Sequence, residues 1–141
     1  MILRFDEGFA LPPEEVFAYF ATPADWPRLY GFAGQARDLG AGWFAIPLKR
    51  FPFPLVARNT EVDVNQRVRW TFRGFWRGEG EIRFTATPGG GVRLEGHEEI
   101  AARWLYFLSP LFEKLFLERQ FRAIWALGWR RLRKHEPSQA R

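Results

Sequence analysis

Cysteine and histidine, the side chains that supply thiol nucleophiles and most zinc ligands, are scarce in this 141-residue sequence. Cysteine is absent, and the two histidines are His97 and His135. Because a zinc site needs three or four converging ligands, this composition predicts no metal centre, and the lack of cysteine excludes a thiol nucleophile. No phosphate-binding loop, dinucleotide fingerprint or nucleophile elbow occurs, so the sequence predicts no cofactor and no catalytic residue. The strand alternation around His97 points it outward, to the surface.

Three polar residues stand where apolar strands should face inward. Arg58 and Thr60 share the alternation of the valines that follow them, and Glu98 shares that of Leu94. An isolated charge is costly in an apolar interior, so these groups should pair with one another or with a ligand. The pattern predicts a polar anchor in a ligand pocket. The alternative is a bulge near Gly96 that turns Glu98 outward, or an Arg58 that sits at an open rim.

A simple order of elements positions these residues. The sequence predicts a strand over residues 2–9, two short helices on either side of Pro23, and a long helix from Pro110 to about residue 135, with Ser109 as its N-cap. Between them, short β-type runs separated by Gly, Asn or Pro turns predict an antiparallel meander. Its six strands are expected over residues 33–39, 42–51, 55–64, 67–75, 79–87 and 91–101.

Alternation within these strands separates an apolar face from a charged face. Along residues 67–73, Val68, Trp70 and Phe72 alternate with arginine and threonine. The long helix must cover the apolar face, because its own apolar residues recur at helical spacing. The charged face is expected to be a solvated surface with cross-strand ion pairs. We expect a ligand cavity between sheet and helix, lined by Arg58, Thr60, Trp70, Phe72, Phe84, Leu94, Glu98, Phe121 and Trp125.

Aromatic residues gather in the loops at one end of the predicted meander. The other end has small and polar turns, whereas this end carries Phe32, Phe51, Phe53, Phe75, Trp76, Trp104 and Tyr106. Since loops are ordinarily polar, this concentration indicates either the mouth of an apolar pocket or a plug of inward-folded rings. We favour the mouth, with Phe53, Trp76 and Trp104 at least partly exposed. Exposed rings beside arginines would also suit peripheral contact with a membrane.

Two segments resemble a known family. The stretch Phe9–Phe20 with the following Asp25-Trp26-Pro27, and the turn and strand Thr87–Leu94, are similar to the START-like domains of the SRPBCC superfamily, which includes polyketide cyclases and lipid-transfer domains. The resemblance covers nearly the whole chain. It implies a single domain over residues 1–141 with an α+β helix-grip fold: a seven-stranded antiparallel sheet wrapped around a long C-terminal helix, with two short helices after the first strand.

The resemblance also implies that a cavity between sheet and helix holds an apolar ligand. We expect the chain to bind a hydrophobic small molecule or lipid, and transport of that ligand is a further expectation. One alternative is a cyclase- or dehydratase-type enzyme that uses Glu98 in the same pocket. The other is a macromolecular partner, such as RNA, a ribosome or a protein, because residues 103–134 hold eight basic and two acidic residues. Nucleic acid is the least favoured of these partners.

The location expected for the chain is the cytoplasm. Cysteine is absent, the first residues do not have the pattern of a signal peptide, and the longest run without a charge is Leu39–Leu48, ten residues. A membrane-spanning helix needs about 20 apolar residues, so this run is too short to cross.

Overall fold

The computed structural model describes residues 2–30, 35–48, 53–102 and 110–136, except for the side chains of residues 30, 102 and 110–116. Its elements follow the predicted order of strand, short helices, six strands and long helix. The strands are β1 Ile2–Phe9, β2 Arg37–Gly40, β3 Trp43–Ile46, β4 Leu55–Asp63, β5 Arg67–Arg73, β6 Trp76–Ala86 and β7 Val92–Ala102. The helices are α1 Pro13–Phe17, α2 Trp26–Tyr30 and α3 Pro110–Lys134, and a 3₁₀ turn, Pro23–Asp25, precedes α2.

The described strands form one antiparallel sheet of seven strands in the order β1-β7-β6-β5-β4-β3-β2. From β2 to β7 each strand pairs with the next, as short turns between antiparallel strands require. Strand β1 is the edge strand next to β7, and all of its residues pair with that strand. This arrangement confirms the predicted helix-grip sheet. Strand β6 begins at Trp76, earlier than the predicted residue 79.

The long helix α3 covers the apolar face of the sheet. It begins at Pro110 and ends at Lys134, close to the predicted bounds. Proline suits the first helical position because it has no backbone N–H to satisfy. The side chains that α3 buries recur at helical spacing: Leu117, Phe121, Trp125, Trp129 and Leu132. Among the described residues, none of the helices combines the length and apolarity needed to span a bilayer.

Stacked rings fill much of the space between sheet and helix. The ring of Trp125 lies 4.5 Å from that of Phe5 and 5.1 Å from that of Trp129, centroid to centroid. Further along the interior, Phe20 packs edge-on against Phe84 at 5.8 Å. Such aromatic pairs contribute about 0.5–1.5 kcal/mol each beyond the area that they bury. The core therefore combines aliphatic side chains with a network of aromatic contacts.

The outer face of the sheet carries the predicted lattice of ion pairs. Arg67 forms a hydrogen-bonded ion pair with Glu61 and lies 3.2 Å from Asp63. Farther along the sheet, a guanidinium nitrogen of Arg93 on β7 lies 2.6 Å from a carboxylate oxygen of Asp6 on β1. These groups are half-buried or exposed, so water and salt screen each pair and its contribution to stability is small. The charged face is a solvated surface rather than a site.

Candidate functional site

The candidate site is built around Glu98, which points from β7 into the interior. Strand β7 pairs in unbroken register with both of its neighbours, so no bulge occurs near Gly96. Glu98 therefore keeps the same face as the buried Leu94 and Ile100. It is 4% exposed, although carboxylates are among the residues that proteins bury least. The predicted inward orientation of Glu98 is confirmed.

A glycine on the next strand makes room for a tryptophan beside this carboxyl. Gly80 on β6 pairs with Trp70 on one side and with Glu98 on the other. A Cβ atom at Gly80 would lie 2.4 Å from Cε2 and 2.5 Å from Nε1 of the Trp70 indole. The indole therefore lies across Gly80, toward Glu98. Any larger residue at position 80 would have to displace it.

Helix α3 supplies the direct polar partner of Glu98. The indole Nε1 of Trp125 donates a hydrogen bond to Oε2 of Glu98 at 2.5 Å, and both residues are buried. An indole N–H can only donate, and a carboxyl group keeps an acceptor oxygen whether or not it is protonated. The bond is therefore compatible with both charge states of Glu98.

Burial raises the pKa of Glu98 from 4.5 to about 7. Removal from water disfavours the charged form of a carboxyl group. The hydrogen bond from Trp125 opposes this rise, and the indole of Trp70 opposes it more weakly. The Nε1 atom of Trp70 is buried and makes no direct hydrogen bond within the described structure. Glu98 consequently changes charge near neutral pH, where ordinary carboxyl groups stay ionised.

The space left beside Glu98 is small. It measures about 20 Å³, whereas about 10–15 Å³ on this scale accommodates one water molecule. Among the described residues, aromatic side chains occupy most of the space beside Glu98, and the ligand-sized cavity between sheet and helix stays a prediction. The chamber is lined by Trp26, Leu48, Leu55, Trp70, Glu98, Phe121, Ile124 and Trp125.

Some of the predicted lining residues pack elsewhere in the core. Phe72, Phe84 and Leu94 are buried on the inner face, as expected, but they do not line the chamber. The ring of Phe84 instead packs edge-on against Phe17 and Phe20, in and just after α1. Of the predicted set, the structure brings four residues together around the chamber: Trp70, Glu98, Phe121 and Trp125.

The predicted inward orientation of Arg58 and Thr60 is wrong, because a bulge reverses the alternation within β4. Asn59 pairs with Trp70, and Glu61 pairs with Arg69, so Thr60 is the extra residue between them. One inserted residue moves every side chain before it to the opposite face from the one that simple alternation predicts. Arg58 and Thr60 therefore cannot reach the chamber.

On the outer face, Arg58 has a different role. Its guanidinium carbon lies 4.9 Å from the centre of the Trp43 ring, and that of Arg73 lies 4.2 Å from the same ring. Two guanidinium groups thus contact the ring of the half-buried Trp43, as cation–π pairs at a protein surface do. Thr60 is exposed and borders a polar depression with the half-buried His97. The predicted outward position of His97 is confirmed.

At the aromatic end of the sheet, the described rings range from exposed to completely buried. Phe53 is 45% exposed, as predicted, and its ring stacks on that of Phe75 at 4.2 Å. Trp76 was expected to be exposed in a turn, and this prediction is wrong: it is completely buried, 5.2 Å from Phe121. The turn lies earlier, where Gly74 adopts a φ of +88°, so Trp76 opens β6 on its inner face. The remaining predicted mouth residues lie outside the described residues: Phe32, Phe51, Trp104 and Tyr106.

Sequence reasoning missed one inward-facing polar residue, Asn59. Its Nδ2 donates to the backbone carbonyl oxygens of Phe20, at 3.1 Å, and of Ala21, at 2.9 Å. Asn59 thereby ties the end of the α1 segment to β4. The signal was present in the sequence, because Leu55 and Ala57 are the apolar residues that share its alternation before the bulge. The chamber residues Trp26, Leu48, Leu55 and Ile124 were missed as well.

Comparison with known proteins gives both a family and a fold. The model of the family described as "Polyketide cyclase / dehydrase and lipid transport" matches residues 8–135. No curated protein matches the chain.

Several solved structures share the architecture. A conserved protein from Geobacillus kaustophilus has a TM-score of 0.72 at 9% identity, over 97% of this chain and 98% of that chain. A START superfamily protein from Mycobacterium smegmatis has a TM-score of 0.68 at 10% identity, over 94% of this chain and 97% of that chain. The Aha1 dimer from Colwellia psychrerythraea has a TM-score of 0.68 at 11% identity, over 99% of each chain. At these identities the likeness shows the fold alone.

Proposed function

Because the chain belongs to the polyketide cyclase / dehydrase and lipid transport family, we propose that it binds a small apolar molecule bearing one neutral polar group, with Glu98 as the polar contact. The observation that carries this proposal is the buried carboxyl of Glu98 in a chamber of aromatic and aliphatic side chains. Binding sites for small molecules typically combine such apolar walls with a few convergent polar groups.

Burial of the Glu98 carboxyl group costs free energy. A buried carboxyl group must be desolvated, at a cost that its hydrogen bonds offset only in part, and this cost favours a role for Glu98 beyond packing. The hydrogen bond from Trp125 engages Oε2. In our proposal Oε1 is the atom that meets the polar group of the ligand.

The described residues leave about 20 Å³ beside Glu98, which holds a water-sized group, so in our proposal side chains move when a larger ligand reaches this carboxyl. The side chains that would move belong to one element, α3: Phe121, Ile124 and Trp125. Ile124 is only half-buried, which places it at the boundary between the chamber and the outside. Binding would therefore be weakened by the fraction of time for which the helix face is open.

The charge behaviour of Glu98 limits the ligand's chemistry. A pKa of about 7 means that the group is partly protonated at neutral pH. In that state it can donate to a carbonyl or hydroxyl oxygen, and in the ionised state it can accept from a hydroxyl group. A ligand carboxylate would be repelled by the ionised form. The favoured polar group is thus a hydroxyl or a carbonyl.

Paired probes that differ by one hydroxyl group test this proposal: 2-naphthol and naphthalene, followed by quenching of tryptophan fluorescence. We expect 2-naphthol to bind about tenfold more tightly, because a hydrogen bond to an ionisable group is worth about 1.5 kcal/mol or more. Glu98→Leu should bring the two affinities to within about twofold. Glu99→Gln is the matched control, since Glu99 is the next carboxyl along β7 and lies exposed on the outer face. Absence of binding of both probes, or an unchanged ratio in Glu98→Leu, would contradict the proposal.

A second candidate function is proton transfer by Glu98 in a dehydration. A general acid or base works best when its pKa is near the working pH, and burial raises the pKa of Glu98 to about 7. As a base, the carboxylate would take a proton from the carbon beside a ketone, and the carboxylic acid so formed would give that proton to the β-hydroxyl group as its C–O bond breaks, so that water leaves and the conjugated double bond forms. Conversion of 4-hydroxy-4-phenylbutan-2-one to its conjugated enone, read by ultraviolet absorbance, tests this. A rate in the parent that Glu98→Gln abolishes supports catalysis, and equal rates in both proteins exclude it.

A further inference from the structure

A second concavity lies at the C-terminal end of α3, where the last turns of that helix meet α2 and the turn that follows α1. It measures about 240 Å³, more than ten times the volume of the chamber beside Glu98. Leu132, in its wall, follows Trp125 by seven residues, which is about 10 Å along the helix axis. We call it the basic pocket; it is lined by Tyr19, Arg28, Leu29, Arg131, Leu132, Lys134 and His135.

All the charged groups that line the basic pocket are cationic. Arg28 comes from α2, whereas Arg131 and Lys134 come from the last turns of α3. The two carboxyl groups nearest in sequence are engaged outside the lining. Asp25 contacts Arg28 from its flank, at 3.4 Å from Nε. Glu136 accepts the backbone N–H of Ala10 at 2.7 Å. The lining thus concentrates positive charge, and Asp25 at its flank is the counter-ion of Arg28.

Several contacts hold the donors in place before any ligand arrives. A guanidinium N–H of Arg131 donates to the backbone carbonyl oxygen of Arg28 at 3.0 Å, which joins α3 to α2. The guanidinium carbon of Arg28 lies 5.0 Å from the centre of the Tyr19 ring. The hydroxyl oxygen of Tyr19 lies 3.4 Å from Nε2 of His135. Donors that are already oriented lose less conformational entropy when they bind a ligand.

From this geometry we propose that the basic pocket binds a phosphate monoester, either free in solution or as the headgroup of a lipid. Arginine presents a planar fork of N–H groups that matches phosphate oxygens, and lysine adds a compact charge. Tyr19 and His135 add a hydroxyl group and an imidazole group at the same wall. Attraction to the helix dipole favours a cation in the last turn of each helix, Arg28 in α2 included, but it does not by itself bring the cations of two helices to one concavity.

Glutamine substitutions test the pocket with little disturbance of the helix. Arg131→Gln with Lys134→Gln removes two charges, and glutamine keeps an amide donor for the carbonyl of Arg28 and a good helix propensity. The matched control is Arg119→Gln with Arg130→Gln, which removes two charges from exposed positions of the same helix outside the pocket. Tyr19→Phe, a third variant, removes one hydroxyl donor without changing the charge. Circular dichroism establishes that each variant is folded.

Binding is measured with inorganic phosphate and glycerol 3-phosphate, by amide chemical shifts of residues 28 and 131–135 in the parent. Vesicles of phosphatidylcholine with and without phosphatidic acid form the second arm, read by cosedimentation. We expect the pocket double variant to bind about five- to thirtyfold more weakly, and the control double variant to change by less than about twofold. Tyr19→Phe should weaken binding by a smaller factor than the double variant.

Each outcome either identifies the source of the phosphate group or overturns the proposal. Saturable shifts with the soluble phosphates identify a free phosphate monoester as ligand. Binding to phosphatidic acid vesicles alone, lost in the pocket variant, identifies a lipid headgroup. Equal losses in the pocket and control variants would show that only general electrostatic attraction acts, and would overturn the proposal. The proposal would also be overturned if none of the three probes, inorganic phosphate, glycerol 3-phosphate and phosphatidic acid vesicles, bound at this pocket.

Discussion

Replacing Glu98 with glutamine should remove a pH dependence of stability that the parent protein has. In the unfolded chain this carboxyl group has an ordinary pKa of 4.5, whereas burial raises the pKa in the folded protein to about 7. Between these two values the folded protein keeps the proton that the unfolded chain has already released. The free energy of unfolding therefore falls as the pH rises through this window.

The size of the effect follows from the width of the window. Each pH unit of separation corresponds to about 1.4 kcal/mol, so this group should lower the stability of the parent by about 3 kcal/mol between mildly acidic and mildly alkaline solution. Glutamine has nearly the same shape, and its carbonyl oxygen can still accept the hydrogen bond from Trp125. It does not titrate. The variant should therefore match the parent near pH 5 and exceed it by about 2–3 kcal/mol near pH 9.

Urea unfolding followed by tryptophan fluorescence, repeated between pH 5 and pH 9, measures both proteins. Every other titrating group is common to the two chains, so the difference between their unfolding free energies isolates Glu98. Glu99→Gln, which removes an exposed carboxyl group from the outer face of the same strand, is the matched control variant. Parallel curves for Glu98→Gln would refute the argument that burial keeps this carboxyl protonated. A parent that gains stability over the variant as the pH rises would refute it more strongly, since that sign requires a stabilised carboxylate.

Three further predictions follow from the packing. Gly80→Ala should destabilise the fold by about 1–3 kcal/mol, because the added Cβ atom would lie 2.4 Å from the indole ring of Trp70. Gly8→Ala is the control, since a Cβ atom there meets nothing within 4 Å. Equal urea midpoints for the two variants would contradict this reasoning. Trp76→Ala should lower the free energy of unfolding by about 3–5 kcal/mol and Phe53→Ala by less than about 1 kcal/mol, because only Trp76 is buried. A larger fall in melting temperature for Phe53→Ala than for Trp76→Ala would contradict this packing. Arg58→Ala should leave the affinity for 2-naphthol unchanged, since its guanidinium stacks on an outer-face indole, and a tenfold loss in a fluorescence titration would place it in the site after all.

Much of the fold could be read from the sequence because its signals are local. Alternation along β5 and β7 identified the buried faces, and Pro110 marked the start of α3. The inward position of Glu98 could be predicted for the same reason, since no irregularity interrupts the register around it. Strand alternation and helix-start chemistry act within a few residues, so these predictions needed no knowledge of the neighbouring strands.

What the sequence by itself determined about this protein is thus the order of its elements, the face that each strand buries while its register holds, and the inward carboxyl. Tertiary structure decided the rest. The bulge at Thr60 reversed the face of Arg58, because the extra residue is defined only by pairing with β5. Trp70 reaches Glu98 across Gly80, and Trp125 closes the chamber from α3. The volume left between faces that are distant in sequence depends on how their side chains interdigitate, which no local pattern specifies.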